Sequence, residues 1–482
     1  MGKEILINSE PRETRVAIVR NGRLDEYYVE RPQDKTIVGN IYKGTIDAVI
    51  PSIGGAFVDI GMPKKGFLYL SEIEYAFEGL DKMVQLKPKD IKKGQEVLVQ
   101  VVKEPFSTKG PRLSCHIGIA GRYLVIMPQD EQIGISRRVD DEERKRLRSV
   151  LQELKLPKDA GFIVRTAASG KSAKELLRDA NFLIKLWKRM DGIMRRKKAP
   201  ALIYEEYDLV LRVIRDSFTE DVERLVVDSK PEFYRIQRFM RSFLSDMVNK
   251  VQLYRGDKPL FEEKDIEKQI LRTFETKVYF KSKAYIIIEP TEGLVVVDVN
   301  SGGFKEKVNQ EEAAYKINCE AAQEVAHQLR LRDLGGIIVI DFIDMERESH
   351  RRGVLNVLKQ ALSEDKAKYD ILGISKFGLV EMTRERIHNT VQTLAYKPCP
   401  YCIGKGKVKS PLTMSIEAMK EVSKFVKSKG GHVPEVTVTV NPEVAEELMK
   451  DKESIRYAER KNGTRINLCA NAALRIEDYS VS

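Results

Sequence analysis

Two apolar stretches set the architecture of this chain: LVVVDVNSGG at residues 294–303 and GGIIVIDFIDM at residues 335–345. In each stretch, four apolar residues run directly into an aspartate, Asp298 in the first and Asp341 in the second. Short runs rich in valine and isoleucine are typical of buried strands in an α/β sheet. Because the strand ends of an open α/β sheet face its ligand crevice, we expect both aspartates at one site.

The residue types at these strand ends suit a hard metal ion. A carboxylate after a buried strand costs desolvation free energy unless it is paired or binds a metal. Asn300 follows Asp298 by two residues, and Asp344 follows Asp341 by three. Mg²⁺ takes one or two carboxylates, several waters and substrate phosphate. The alternative is that each aspartate caps the turn or helix after it, and both interpretations stay open at this point.

The segments around these strands differ in pattern. Residues 274–397 have an α/β pattern: a hairpin (KVYFKSKAYIIIEP-TEG-LVVVDVN), a helix from about Asn309 to Arg332, the second buried strand, another helix and one more strand, ILGISKFGLVEM. Asn21-Gly22 between alternating runs predicts a hairpin over residues 14–30. Residues 36–115 have the short, glycine-punctuated strands of a small barrel. Residues 116–209 mix strands and helices, 210–273 open with a predicted strand, DLVLRVI, before helices, and 411–482 predict a small α/β unit.

Composition narrows the class of protein. The 482 residues carry a net charge of +11, which favours polyanionic partners but also fits a generic basic surface. No run reaches the ~18 apolar residues of a membrane helix, and the first residues lack a secretory signal, so we expect a cytoplasmic protein without a membrane span. The five histidines are scattered, which gives little local support to a two-histidine acid–base ribonuclease.

One cysteine pair has metal-ligand spacing. Cys399 and Cys402 frame Pro-Tyr, and Gly404 and Gly406 follow, as in a zinc knuckle. A closed structural zinc site needs four ligands, and one way to supply them is for two chains each to donate a pair. A redox CxxC would lie near a thioredoxin-like βαβ pattern, which we do not find in the sequence. A plain turn is the remaining alternative.

Two further sets of residues could contact a nucleic acid. Phe57 and Phe67 flank Lys64 and Lys65 in the predicted barrel, where aromatics can stack on bases while lysines meet phosphates. The alternative for both phenylalanines is the barrel core. Arg165-Thr166 follows the predicted strand GFIV and could hold a phosphate.

Taken together, these motifs resemble the ribonuclease E/G family. The match rests on GNIYKGTIDAVIPSIGGAFVDIG (39–61), VRTAASG (164–170), VVVDVNSGG (295–303), RDLGGIIVIDFIDM (332–345) and CPYCIGKG (399–406). The resemblance implies a multidomain α/β (α+β) fold. Its parts would be a split RNase-H-like subdomain (1–35 and 210–273) with an inserted OB-fold barrel (36–115) and 5′-sensor domain (116–209), a DNase-I-like catalytic subdomain (274–397), a zinc link (398–410) and a small C-terminal α/β domain (411–482).

The resemblance also implies an activity. It is a Mg²⁺-dependent, single-strand-specific endoribonuclease that leaves 3′-hydroxyl and 5′-monophosphate ends, is stimulated by a 5′-monophosphate, and acts in rRNA and tRNA processing and mRNA turnover. The implied residues are Asp298 and Asp341 as magnesium ligands, Asn300 as the catalytic-site asparagine, Cys399 and Cys402 as interchain zinc ligands, Phe57, Phe67 and Lys109 as RNA contacts, and Gly121, Val125, Arg165 and Thr166 as the 5′-monophosphate pocket. Lys368 stands where the family can have an arginine near the 5′ nucleotide, and lysine lacks the planar fork of that side chain.

The implied partners are single-stranded RNA, including rRNA precursors and mRNA, and a second copy of the chain. The resemblance implies a homodimer through the shared zinc ion, with further pairing of dimers left open. Larger family members carry a long disordered scaffold, and because this chain stops at residue 482 we expect it to resemble the shorter members. A non-catalytic RNA-binding or chaperone protein would explain the charge and barrel but not two strands ending in aspartate. A DNA nuclease with similar metal chemistry is a further alternative.

Overall fold

The fold is described from a computed structural model of the chain. It describes residues 2–482 except 74, 79–81, 86–89, 106–108, 129, 131, 155, 158, 159, 305–308, 376, 387–394 and 398. His388, the histidine nearest the cysteine pair in sequence, lies outside the described residues. The chain divides into two compact units, residues 1–391 and 392–482.

The strands of the described residues are β1 (Lys3–Glu10), β2 (Glu13–Arg20), β3 (Arg23–Glu30), β4 (Ile41–Ile50), β5 (Gly55–Asp59), β6 (Gly66–Tyr69), β7 (Tyr75–Glu78), β8 (Lys82–Gln85), β9 (Glu96–Lys103), β10 (Arg112–Ser114), β11 (Ile119–Ala120), β12 (Leu124–Met127), β13 (Ile133–Ile135), β14 (Gly161–Val164), β15 (Ala201–Tyr204), β16 (Val222–Val227), β17 (Val251–Leu253), β18 (Lys277–Tyr279), β19 (Tyr285–Pro290), β20 (Leu294–Asn300), β21 (Gly336–Asp341), β22 (Tyr369–Ile374), β23 (Leu379–Arg384), β24 (Glu435–Val440), β25 (Arg465–Ala470) and β26 (Tyr479–Val481). The helices are α1 (Asp141–Glu153), α2 (Ala173–Met194), α3 (Leu209–Ser217), α4 (Lys230–Phe243), α5 (Leu260–Glu263), α6 (Ile266–Arg272), α7 (Gln310–Leu331), α8 (Glu348–Leu362), α9 (Pro411–Ser428), α10 (Pro442–Lys450) and α11 (Lys452–Asn462).

The first sheet joins two distant parts of the chain. Its strand order is β17-β16-β1-β2-β3, and β1 pairs with β16 in parallel although residues 11–221 lie between them. The predicted hairpin is confirmed as β2 and β3, since Asn21 and Gly22 both adopt the left-handed φ that a tight hairpin turn requires. Helices α3 and α4 cover one face of this sheet, and α5 and α6 pack on the other.

The strand predicted for DLVLRVI is wrong, because these residues begin helix α3. The Asp208 side chain accepts a hydrogen bond from the Leu211 amide and so caps the helix. The buried residues Leu209, Val210, Val213 and Ile214 lie on one helical face. A short apolar run is compatible with either periodicity, and here packing against the sheet decides for the helix.

The predicted barrel is confirmed. Strands β4, β5, β6, β10 and β9 form a ring that closes where β4 pairs with β9, and β6 and β10 pair in parallel. Strand β15 extends the ring beside β4. Of β7 and β8, only the backbone is described. Next along the chain, strands β11-β12-β14-β13 form a small sheet that packs with α1 and α2.

The sheet that contains the two aspartates has the order β18-β19-β20-β21-β23-β22. Helices α7 and α8 pack on one face, so alternate residues of β19, β20, β21 and β23 are buried there. The stretch ILGISKFGLVEM forms two strands, β22 and β23, rather than the single predicted strand. The turn between them includes Gly378, whose φ of 79° allows the reversal.

The second unit, residues 392–482, contains the cysteine pair and a three-stranded sheet. Strand β24 pairs in parallel with β25 and antiparallel with β26, and the connection from β24 to β25 runs through α10 and α11. This is a βαβ crossover, so the expectation that no such pattern lies near the CxxC is wrong. Within the described residues, no helix is both long and apolar enough to cross a membrane.

Candidate active site

Asp298 and Asp341 lie side by side. Strands β20 and β21 are parallel, and their register places these two residues directly opposite one another. Val297 and Ile340, the residues immediately before them, are buried against the helices. Both aspartates therefore lie on the opposite, open face, on strands about 4.8 Å apart. The prediction that the two strand ends bring the carboxylates together is confirmed.

The electrostatics of this pair favour a cation. The Asn300 amide donates a hydrogen bond of 2.7 Å to Asp298 Oδ2 and orients that carboxylate. Partial burial, the Asp298 carboxylate and the Asp344 carboxylate together raise the pKa of Asp341 above its ordinary value. Acids held this close repel one another, so a bound cation would relieve the repulsion.

The donor set fits magnesium better than a closed metal cage. Across the part of the chain that the structure describes, no three His, Cys, Asp or Glu side chains are grouped to hold a metal. Structural zinc needs four such ligands from its surroundings. Mg²⁺ needs only one or two carboxylates, because water and phosphate oxygens complete its shell. Asp298 and Asp341 would supply that pair.

The barrel presents an aromatic surface. Phe57 and Phe67 are directly opposite each other on β5 and β6, and their ring centres lie 5.9 Å apart. Both side chains are half-buried, whereas their neighbours Ala56 and Leu68 are in the core. The core alternative for the two phenylalanines is therefore wrong.

Two residues that the sequence analysis missed extend this surface. The Tyr69 ring lies 5.1 Å from that of Phe67, and the Arg112 guanidinium lies 4.8 Å above the Tyr69 ring. Strand alternation places Tyr69 on the same face as Phe67 and was the signal available in the sequence. Lys109 is also exposed.

The residues predicted to bind a phosphate lie around Arg165. Its guanidinium donates to the Gly121 carbonyl at 2.6 Å and pairs with Asp216 at 2.7 Å. Thr166 is exposed next to it, and its hydroxyl lies 3.3 Å from that of Ser136. Val125 is half-buried on β12, which pairs with β14, the strand that leads into Arg165. The structure therefore brings together Gly121, Arg165 and Thr166, with Val125 on the neighbouring strand.

Asp179 and Asp216 contact this group of residues or the segment beside it, and the sequence analysis missed both. The buried Asp179 carboxylate accepts hydrogen bonds from three consecutive amides, those of residues 122–124. A Cβ atom at Gly121 would lie 2.6 Å from that carboxylate, which explains the glycine. Both aspartates come from elements distant in sequence, α2 and α3, so only the fold could reveal them.

Lys368 follows a backbone segment that accepts hydrogen bonds from Arg138. Arg138 donates to the backbone carbonyls of Asp365 and Ala367 at 3.0 and 2.7 Å. Lys368 follows Ala367 and is exposed. The structure shows the backbone beside Lys368 in contact with the segment that holds Ser136, but it gives no contact between the Lys368 side chain and Arg165.

The cysteine pair forms a tight knuckle in the second unit. Cys399 is exposed, and the amides of Cys402 and Tyr401 hold the pKa of its thiol below the ordinary value. The Gly406 amide donates to Cys402 Sγ at 3.3 Å. Gly406 has a φ of 68°, which the turn requires. Amides that point at sulfur stabilise thiolates, the form that binds metal.

Comparisons with known proteins find family models and relatives that match this chain. Residues 118–387 match the model of the Ribonuclease E/G family, residues 35–116 that of the S1 RNA binding domain, and residues 398–482 that of the RNase E/G, Thioredoxin-like domain. The chain is 42% identical over 469 residues to Ribonuclease G of Salmonella typhimurium (strain SL1344), covering 95% of this chain and 94% of that protein. It is 41% identical to Ribonuclease G of Escherichia coli (strain K12), with the same coverage. It is 38% identical to Ribonuclease E of Buchnera aphidicola subsp. Schizaphis graminum (strain Sg), covering 100% of this chain and 50% of that protein.

Proposed function

The chain belongs to the ribonuclease E/G family and is therefore an endoribonuclease, and we propose that it cleaves single-stranded RNA with Mg²⁺ held by Asp298 and Asp341. The observation that carries this proposal is the register of β20 and β21, which sets the two carboxylates opposite each other on an open face. In a protein that only binds RNA, two adjacent carboxylates would repel the phosphates and weaken binding. The pair is therefore better explained by metal-dependent cleavage.

Three residues of the candidate active site would have separate roles in cleavage. Asp298 and Asp341 would hold the metal, and Asn300 orients Asp298 and has a carbonyl oxygen and a second amide hydrogen for the substrate. When bound, Mg²⁺ would stabilise charge on the scissile phosphate and lower the pKa of a bound water. Hydrolysis in which the 3′-oxygen leaves gives 3′-hydroxyl and 5′-monophosphate ends.

Substrate recognition is assigned to the barrel and the Arg165 pocket. Phe57 and Phe67 would stack on unpaired bases, with Lys109 near the backbone, which favours single strands because duplex bases are already stacked. Arg165 and Thr166, with Gly121 and Val125, would bind a 5′-monophosphate and thereby stimulate cleavage. Lys368 would add charge near the 5′ nucleotide. Acting on rRNA and tRNA precursors and on mRNA is part of the same proposal.

We also propose a homodimer joined by zinc. Cys399 and Cys402 give two thiolates, and two chains related by a two-fold axis would supply four ligands to one ion. The amides around the sulfurs support metal binding. The segments at 1–35 with 210–273 and at 274–397 would be the RNase-H-like and DNase-I-like subdomains of this family, with the zinc link at 398–410.

One assay tests the central proposal. A 5′-monophosphorylated oligoribonucleotide is incubated with Mg²⁺ or with EDTA, and the product ends are mapped. We expect cleavage only with Mg²⁺, 5′-phosphate and 3′-hydroxyl products, and no cleavage of the matching deoxyoligonucleotide. Asp298→Asn should abolish cleavage while RNA binding persists, and Asp370→Asn, an exposed aspartate of the same sheet, should cleave normally. Cleavage by Asp298→Asn at near the normal rate would overturn the assignment.

A further inference from the structure

A cluster of two tyrosines and a lysine lies beside the aspartate pair. The Lys277 ammonium lies 3.6 Å from the ring centre of Tyr285 and 4.9 Å from that of Tyr279. The two rings are 5.6 Å apart and inclined at 54°. The Tyr279 side chain is 66% exposed, and Tyr285 is half-buried.

Strand register places this cluster next to the proposed catalytic residues. Asp341, Asp298, Ile287 and Lys277 form one row across β21, β20, β19 and β18. The adjacent row on the same face runs from Asn300 to Tyr285 to Tyr279. Directly opposite residues on neighbouring antiparallel strands have Cβ atoms about 4.5–5.5 Å apart, so Tyr285 is the immediate neighbour of Asn300.

The tyrosines do not belong to a hydrophobic core. The core residues of β19 are Ile286 and Ile288, and Val278 of β18 is partly buried against the same cluster, which contains residues of α7 and α8. On the open face, the loop after Asn300 lies against Tyr285, since a Cβ atom at Gly302 would come within 3.1 Å of the Tyr285 ring. Tyr285 is thus held from below while Tyr279 stays open to solvent.

The charge around the rings suits an RNA backbone. In the described part of the chain, Lys277 contacts the two tyrosine rings and has no carboxylate partner. The turn between β18 and β19 adds Lys281 and Lys283, both exposed. Aromatic rings interleaved with lysines are the arrangement by which proteins bind single-stranded nucleic acid, because every base offers a π-face and every nucleotide a phosphate.

We propose that Tyr279 and Tyr285 form a stacking subsite for the unpaired base of a nucleotide that flanks the scissile phosphate, with Lys277 binding the adjoining phosphate. The inference rests on the proposed function, because it takes the Asp298–Asp341 pair as the point of cleavage. The subsite is separate from the aromatic surface of the barrel, and it fixes the substrate within one strand spacing of Asn300. It gives no hydrogen-bond reading of the base edge, so it favours any unpaired base over an abasic position.

The test combines two protein variants with abasic substrates. Tyr279→Ala removes an exposed ring, and Tyr279→Phe keeps the ring without the hydroxyl. Tyr457→Ala is the matched control, because Tyr457 is 63% exposed and also carries a lysine over its ring, Lys461 at 5.6 Å. The substrates are 5′-monophosphorylated oligoribonucleotides with one cleavage site and a single abasic nucleotide placed in turn at each position around it.

We expect wild-type kcat/KM to fall at one abasic position flanking the site, by about 5- to 150-fold, the range of one base–aromatic stack. Tyr279→Ala should lose a similar factor on the intact substrate, mostly in KM, and should lose no more when that base is absent. Tyr279→Phe and Tyr457→Ala should resemble wild type. An unchanged Tyr279→Ala enzyme, or an abasic penalty that it retains in full, would overturn the subsite.

Binding without metal separates this inference from the proposed function. In EDTA, fluorescence anisotropy with the intact oligoribonucleotide should show weaker binding by Tyr279→Ala than by Tyr457→Ala. That difference would support the subsite even if no Mg²⁺-dependent cleavage were found. The absence of cleavage would overturn only the proposed function. Equal binding by the two variants, with normal cleavage by wild type, would sink the subsite alone.

Discussion

Replacing Arg165 tests how the 5′ end of the substrate is recognised. A guanidinium has five N–H donors, and the structure accounts for two of them, given to Gly121 and Asp216. The others remain for a phosphate, and the side chain is 27% exposed. A hydrogen bond to a charged group contributes about 1.5–3 kcal/mol. Arg165→Ala should therefore lower the preference for 5′-monophosphate over 5′-hydroxyl RNA by roughly 10- to 150-fold.

Asp216 should have the opposite effect to Arg165 on the preference for a 5′-monophosphate. Its carboxylate neutralises part of the Arg165 charge and would repel a phosphate bound there. Two charges about 4 Å apart in a water-like medium interact by about 1 kcal/mol. Asp216→Asn keeps an oxygen that can accept from Arg165 but removes the charge, so it should raise the preference for the 5′-monophosphate about fivefold.

The assay compares initial cleavage rates on one sequence that carries a 5′-monophosphate, a 5′-hydroxyl or a 5′-triphosphate. Arg165→Lys controls for charge without the planar fork and should lie between wild type and Arg165→Ala. If wild type shows a clear preference and Arg165→Ala keeps it, the phosphate binds elsewhere. If Asp216→Asn lowers the preference, Asp216 acts by positioning Arg165, and the electrostatic reasoning is refuted.

Three other outcomes are expected. Asp341→Asn should abolish Mg²⁺-dependent cleavage with little change in RNA affinity, measured by single-turnover kinetics and anisotropy, because it removes half of the carboxylate pair; near-normal turnover would contradict this. Cys399→Ser should turn a dimer with one zinc per two chains into folded monomers, whereas Cys469→Ser, also exposed, should not; light scattering and zinc analysis decide, and one zinc per monomer would end the shared-zinc proposal. Burial disfavours the charged form of Asp25, but its contacts with His327 and Arg330 outweigh this and hold its pKa far below the usual range. Asp25 should therefore contribute about 1.5–3 kcal/mol of stability above its unfolded pKa of ~3.9, and this should fade as the pH falls further, so urea titrations of Asp25→Asn and wild type should differ at pH 7 and converge in acid; a difference independent of pH would contradict it.

Sequence periodicity was enough for the parts of the fold that depend on local pattern. The two apolar runs ending in Asp298 and Asp341 predicted adjacent strand ends, and Asn21-Gly22 predicted a hairpin, because both signals arise within a few residues. The strand predicted for DLVLRVI was wrong because a short apolar segment is compatible with both strand and helix periodicity. Only its packing in the fold determines which one forms.

The site residues that the sequence did not predict lie on elements that are distant in sequence and meet only in the fold. Asp216 meets Arg165 from another element, and the sequence gives no local sign that its carboxylate faces a guanidinium. The sequence places Tyr279 and Tyr285 in a predicted hairpin but does not indicate their neighbours. The strand register shows that Tyr285 lies opposite Asn300 and Tyr279 opposite Tyr285. Side-chain partners across a sheet depend on register, which propensity does not specify.

The sheet formed by β1, β2, β3, β16 and β17 has a consequence for synthesis on the ribosome. Strand β1 needs β16 as its parallel neighbour, and residues 11–221 are translated between them. About 200 residues take roughly 10–40 s at ~5–20 residues per second. During that interval the barrel can close on itself, while the N-terminal strands expose an unpaired edge. Nascent chains halted before Val222 should thus be prone to edge-to-edge aggregation, and a chaperone that covers β1 would matter most in this window.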